Sequence, residues 1–103
     1  MDARRWRSSI NRAYYAAFYA ASAVLLKQGR HFVKQPGVQT ALHRDLVHTR
    51  LLAQEHGDAY DELFKLRLIA DYTVTGIDAD QATRSLHQAQ AIVAEMRRLL
   101  DAR

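Results

Sequence analysis

Apolar residues recur at helical spacing along the chain, and glycine and proline divide the pattern into four stretches. The first covers about residues 3–28, and its apolar side chains cover most of the circumference of the predicted helix. A helix with that pattern lies at the centre of a fold or at an interface. Gly29 follows it as a predicted C-cap. The main apolar stripe comprises Trp6, Ile10, Ala13, Tyr14, Ala17, Phe18, Ala21, Val24 and Leu25.

Three shorter stretches complete the pattern. The second begins after residues 34–37, whose proline suits an early helical position, and Gly57 is expected to end it. The third opens at Asp58, a good N-cap, and stops before a β-branched loop over residues 73–77. Residues 78–81 then have the form of a capping box that starts the last helix. No stretch has the period of a strand, so the chain is predicted to be all-α, an up-and-down bundle of about four helices.

Length and composition indicate an ordinary globular protein. The 103 residues are enough for a single domain over residues 1–103. Cysteine is absent, which excludes disulfides, thiolate metal sites and cysteine nucleophiles. No apolar run approaches the length of a membrane span, and the N-terminus does not resemble a signal peptide, so we expect a cytoplasmic protein with no membrane interaction. The net charge of +4 agrees with a nucleic-acid partner but does not require one.

The most distinctive segment is the tyrosine-rich block over residues 11–21, in which alanines are interleaved with aromatic residues. The alanines let another helix approach closely and the rings supply contact area, which favours a core or a dimer seam. The other interpretation is a platform on which nucleic-acid bases stack, with Arg12 near the phosphates. Asn11, Arg12 and Tyr15 are therefore the candidate nucleic-acid-binding residues.

A second group of residues shares one face of the predicted third helix. Tyr60, Phe64, Arg67 and Asp71 follow one another at spacings of three or four residues, and Tyr72 is adjacent. An arginine in this apolar setting is expected to be partly buried, and Asp71, one turn later, can pair with its guanidinium. A functional site and a structural ion pair both explain the pattern.

Several kinds of active site find no support in the sequence. The five histidines form no i, i+4 pair and no His-Glu-x-x-His motif, so no metal site is expected. The sequence also lacks a P-loop and a dinucleotide-binding fingerprint. We therefore expect neither a metal nor an organic cofactor.

Residues 9–21 and 66–72 together resemble the signature blocks of small prokaryotic HEPN-domain proteins. The region of residues 34–46, with His43, and the acidic start of the last helix at Asp80 are also similar, so the resemblance covers nearly the whole chain. It implies a helical bundle that forms a homodimer. In active members of the family, an R-x4–6-H motif from each protomer meets at the dimer cleft and cleaves RNA without a metal.

By this resemblance Arg67 is the motif arginine, but the motif histidine is missing. Asp71, Tyr72 and Thr73 occupy the positions four, five and six residues after Arg67. Histidine serves as a general acid or base near neutral pH, whereas the tyrosine hydroxyl ordinarily has a pKa of about 10. The chain therefore resembles a branch with an Arg-x-x-Ala-Asp-Tyr motif, in which ribonuclease activity does not follow from the fold. Arg67, Asp71 and Tyr72 are the candidate catalytic residues.

Two functions follow from the resemblance. The first is an RNA- or nucleotide-binding component of a prokaryotic toxin–antitoxin or defence system, which is a metal-independent ribonuclease if the altered motif is active. The second is a non-catalytic helical adaptor that pairs with a nucleotidyltransferase or another partner protein. In the adaptor, Arg67 and Asp71 form a structural ion pair, so loss of Arg67 is expected to lower stability rather than activity.

Overall fold

A computed structural model describes residues 3–30, 34–72 and 78–102. Within these ranges there are four helices and no strand, which confirms the all-α prediction. A π-helical turn, Leu42–Val47, directly continues the second helix. The helices are α1 (Ala3–Lys27), α2 (Gln35–Ala41), α3 (Gln54–Tyr72) and α4 (Ala79–Asp101).

α1 is the central helix, because the two other long helices both pack along it. Arg7, near the start of α1, donates a hydrogen bond to the carbonyl of Ala70 near the end of α3, so these helices are antiparallel. Lys27, at the end of α1, donates to the carbonyl of Leu99 at the end of α4, so α1 and α4 are parallel. The three long helices thus alternate in direction along the chain. The bundle measures 44 × 23 × 18 Å.

Small residues on α1 allow close packing at the centre of the bundle. Ala13, Ala17 and Ala21 are buried at helical spacing, and Tyr14 is fully buried beside them. Because the alanines take little room, larger side chains of the other elements fill the space around α1. These are mainly Val38, Leu42, Leu46, Leu52, Leu63, Ile92 and Met96.

Several helix ends have the signals that the sequence predicts. Gly29 follows α1 with a φ of +83°, in the left-handed region that favours glycine. Pro36 lies in the first turn of α2, where its missing N–H costs nothing. Asp78 accepts a hydrogen bond from the backbone N–H of Gln81, whose side chain accepts one from the backbone N–H of Asp78. This is the predicted capping box. The predicted loop over residues 73–77 lies outside the described residues.

Gly57 does not end a helix, so that prediction was wrong. α3 begins at Gln54, before the predicted N-cap Asp58, and Gly57 is buried in its first turn. A Cβ at Gly57 would lie 2.9 Å from His43 Cε1 and 2.9 Å from Val47 Cγ2. Glycine is therefore needed for the close approach of α3 to the π-helical turn, not for breaking a helix.

Candidate functional site

Arg67, the arginine singled out in the sequence, lies on α3 against the aromatic residues of α1. Its guanidinium carbon is 5.4 Å from the ring centroid of Tyr14 and 5.4 Å from that of Tyr15. Both distances are within the range of a cation–π interaction. The side chain of Arg67 is 20% exposed, so it is largely but not fully withdrawn from solvent.

Gln35, at the start of α2, joins Arg67 to both tyrosines. Its side-chain oxygen accepts from Arg67 Nη1 at 2.5 Å and from the Tyr14 hydroxyl at 3.2 Å. Its amide nitrogen donates to the Tyr15 hydroxyl at 3.2 Å, and that hydroxyl also accepts from Arg67 Nη2 at 3.3 Å. We refer to Tyr14, Tyr15, Gln35, Arg67 and Asp71 as the Arg67 cluster. These hydrogen bonds hold the guanidinium in one orientation.

The acidic side of the cluster is formed one helical turn after Arg67. Asp71 Oδ2 lies 3.6 Å from Arg67 Nε, too far for a good hydrogen bond but close enough for an ion pair. The carboxylate of Asp71 is exposed. Tyr72, the last residue of α3, is 83% exposed. The end of α3 therefore presents an oriented cation, an exposed carboxylate and a solvent-facing phenol close together along one helix.

Aromatic rings pack around Tyr14, the buried tyrosine of the Arg67 cluster. The Tyr14 ring contacts Phe18 at 6.0 Å, Tyr60 at 6.0 Å and Phe64 at 5.5 Å, measured between centroids. Burial raises the pKa of the Tyr14 hydroxyl above its ordinary value. Burial also raises the pKa of Tyr60, whose buried hydroxyl makes no hydrogen bond of good geometry with any described residue. In both residues burial therefore favours the neutral hydroxyl.

The structure places the candidate residues of the tyrosine block at different locations. Tyr15 contacts Arg67 directly. Asn11 lies one turn earlier on α1, half-buried, and its buried Oδ1 atom has no hydrogen-bond partner among the described residues. Arg12 is exposed and lines a hollow between α1 and α4, so it does not join the Arg67 cluster.

Sequence reasoning missed Gln35 and a polar pair between the π-helical turn and α3. His43 Nε2 lies 2.9 Å from Asp61 Oδ1, which also accepts from the Gln39 amide at 2.7 Å. The only signal in the sequence is the four-residue spacing of Gln35, Gln39 and His43, which places Gln35 and Gln39 on one side of α2 and His43 in the π-helical turn that continues it. The Cε1–Nδ1 edge of the His43 ring faces Gly57, so the imidazole packs from the π-helical turn against the start of α3.

Over residues 3–30, 34–72 and 78–102, no three His, Asp or Glu side chains lie together in a way that could hold a metal ion. In the same part of the chain, no helix is both long and apolar enough to cross a membrane.

Comparison with known proteins places the chain in a family. Residues 1–99 match the HEPN domain. A protein of Thermotoga maritima named UPF0332 protein is 43% identical over 68 residues, 66% of this chain and 52% of that protein. A protein of Methanocaldococcus jannaschii named "Putative toxin MJ0605" is 27% identical over 95 residues, 92% of this chain and 71% of that protein. This chain thus spans about half the length of the first relative. No solved structure gives a significant match. Because the domain match extends over nearly the whole chain, the chain belongs to the HEPN family.

Proposed function

We propose that this HEPN-family chain binds RNA or a nucleotide at the Arg67 cluster, as a component of a prokaryotic toxin–antitoxin or defence system. One observation carries the proposal: hydrogen bonds to Gln35 and Tyr15 orient the Arg67 guanidinium while part of its side chain stays exposed. A planar guanidinium held in this way suits a phosphate group. The relative that is named as a toxin supports the biological setting.

Cleavage of RNA at this site would require no metal. The 2′-oxygen attacks the adjacent phosphorus, the bond from phosphorus to the 5′-oxygen breaks, and a cyclic phosphate and a 5′-hydroxyl remain. Arg67 would stabilise the negative charge of the phosphorane. Asp71 or Tyr72 would position the 2′-hydroxyl, and its proton would reach the departing 5′-oxygen through solvent.

A homodimer belongs to the same proposal. Leu68 and Tyr72 are exposed large side chains at i and i+4 on α3, on the helix that carries Arg67. Burying them against a second copy would remove apolar surface from water. The same contact would bring the Arg67 clusters of two protomers to one cleft.

The test is a cleavage assay with total RNA and short labelled oligonucleotides in the presence of EDTA. We expect wild-type cleavage to be abolished in Arg67→Ala and reduced in Arg67→Lys, which keeps the charge but not the planar fork. Lys65→Ala is the matched control, because Lys65 is exposed on the same helix and has no ion pair within the described residues. Equal cleavage by wild type and Arg67→Ala would contradict the assignment of the Arg67 cluster as the site of cleavage.

A second candidate function is a non-catalytic adaptor for a nucleotidyltransferase or another partner protein. It is favoured by the fact that both terminal nitrogens of the Arg67 guanidinium already donate hydrogen bonds within the chain, to Gln35 and Tyr15, while Nε is buried 3.6 Å from the Asp71 carboxylate. In that case Arg67→Ala should lower the melting temperature or dissociate the oligomer. Neither wild type nor Arg67→Ala should bind or cleave RNA. Retained stability together with lost RNA binding would contradict the adaptor.

A further inference from the structure

A groove lies between the parallel helices α1 and α4, on a side of the bundle that no other described element covers. Its main hollow has a volume of about 460 Å³, and its floor is built from Ala13, Ala16 and Ala89. A second hollow of about 270 Å³ continues toward the start of both helices and shares Ser9 and Leu86 with the first. We refer to the two hollows together as the α1–α4 groove.

The dimensions of the α1–α4 groove suit a helix. From Arg5 to Ala16 it follows eleven residue steps of α1, which is about 16 Å or three helical turns. Its alanine floor allows another backbone to approach closely, and Leu86, which is 48% exposed, offers an apolar wall. An open channel along two helices fits a third helix better than it fits a compact ligand.

The charged residues among the described lining of the groove are all basic. α1 contains no acidic residue. Arg5 and Arg12 line the groove, are exposed, and have no ion pair or side-chain hydrogen bond within the described residues. No acidic residue is among the described residues that line either hollow. The basic residues of α1 are Arg4, Arg5, Arg7, Arg12 and Lys27.

This charge argues against a second copy of the chain as the occupant. A twofold contact places the same surface on both sides of the interface, so each α1 would bring its own arginines to the other. Like charges brought together at an interface are unfavourable. A carboxylate-bearing helix would instead pair with Arg5 and Arg12 while its apolar face covers the alanine floor.

We propose that the α1–α4 groove binds one amphipathic helix of a partner protein, with its apolar face on Ala13, Ala16 and Leu86 and with carboxylates toward Arg5 and Arg12. Binding of an amphipathic helix in an apolar groove is a general mode of recognition. This site is separate from the Arg67 cluster and does not depend on RNA binding there.

The test uses two designed, fluorescein-labelled helical peptides of about 14 residues, enough to span the groove. Both carry leucines along one face, and the flanking positions are glutamate in one peptide and lysine in the other. Anisotropy with the full chain should show about tenfold tighter binding of the glutamate peptide. Arg12→Glu should abolish or reverse that preference, whereas Lys65→Glu on α3 should leave it unchanged.

A second variant tests the groove itself rather than its charge. Ala16→Gln keeps the charge, places another good helix former on α1 and adds bulk at an exposed position on the floor, so it should weaken binding of the glutamate peptide by about fivefold or more. Circular dichroism establishes that each variant is folded. The proposal is overturned by equal binding of both peptides, by no binding, or by unchanged binding to Ala16→Gln. It is also overturned if Ala16→Gln shifts the oligomeric state, which assigns the groove to a second copy, or if single-stranded RNA displaces the peptide.

Discussion

At the scale of single residues, the two buried tyrosines differ in how their hydroxyls are satisfied. Tyr14 donates to Gln35, whereas the Tyr60 hydroxyl makes no hydrogen bond of good geometry in the described part of the chain. Tyr14→Phe should therefore lower the free energy of unfolding by about 1 kcal/mol, the usual worth of one hydrogen bond. Tyr60→Phe should change it by less than about 0.5 kcal/mol, because no bond is lost. Urea denaturation of both variants measures the difference, and a larger loss in Tyr60→Phe than in Tyr14→Phe would contradict the structure.

Burial of the same two residues predicts how stability depends on pH. Their folded-state pKa values lie above the ordinary tyrosine value, so the folded chain keeps protons that the unfolded chain releases. The stabilisation is fully present below pH of about 10 and is lost as the pH rises further. Helical circular dichroism and tyrosinate absorbance should consequently change together in alkaline titration, and Tyr60→Phe should move the transition to higher pH. Ionisation of all tyrosines near pH of about 10 with the helices intact would contradict this prediction.

At the scale of helices, one lysine connects the ends of α1 and α4. The Lys27 ammonium group donates to the backbone carbonyls of Leu99, Leu100 and Ala102. Carbonyls at the end of a helix receive no hydrogen bond from a following helical turn. A cation at this position also interacts favourably with the helix dipole. Lys27→Met, which keeps the length of the side chain, should lower the free energy of unfolding by about 1 kcal/mol. Lys65→Met should change it little, and an equal loss in both variants would show that the carbonyl contacts contribute nothing.

The helices could be predicted from the sequence because their signals are local. Apolar spacing, Gly29 and the capping box at Asp78 each act within a few residues, and the structure has all of them. The prediction for Gly57 was wrong because a sequence does not distinguish a glycine that ends a helix from a glycine that allows close packing, here against His43. The π-helical turn has no recognised local signal at all.

The candidate site could be predicted only in part, for the same physical reason. The i, i+4 pair of Arg67 and Asp71 follows from helical geometry. Gln35, which holds the guanidinium, is 32 residues from Arg67 in the sequence, and only the packing of α2 against α1 brings them together. Arg12 was grouped with Tyr15 because they are close in sequence, but the two face different sides of α1.

At the scale of the whole molecule, the proposal requires that two copies associate through α3. On this proposal wild type is a dimer in size-exclusion chromatography with light scattering, and Leu68→Glu should be a monomer, because a buried charge opposes the contact. Leu26→Glu, at an exposed position of α1, is the matched control and should remain dimeric. A monomeric wild type would contradict the dimer. A dimer that persists in Leu68→Glu but not in Leu26→Glu would place the interface away from α3.

The central claim is that Arg67 contacts RNA. The most direct test is equilibrium binding of a fluorescein-labelled single-stranded oligoribonucleotide to wild type, Arg67→Gln and Lys65→Gln, with melting temperatures measured in parallel. Each variant removes one positive charge from α3, so any general electrostatic loss is the same in both. The claim predicts at least about tenfold weaker binding for Arg67→Gln, with Lys65→Gln close to wild type and both variants folded. Equal affinity for the two variants would contradict it.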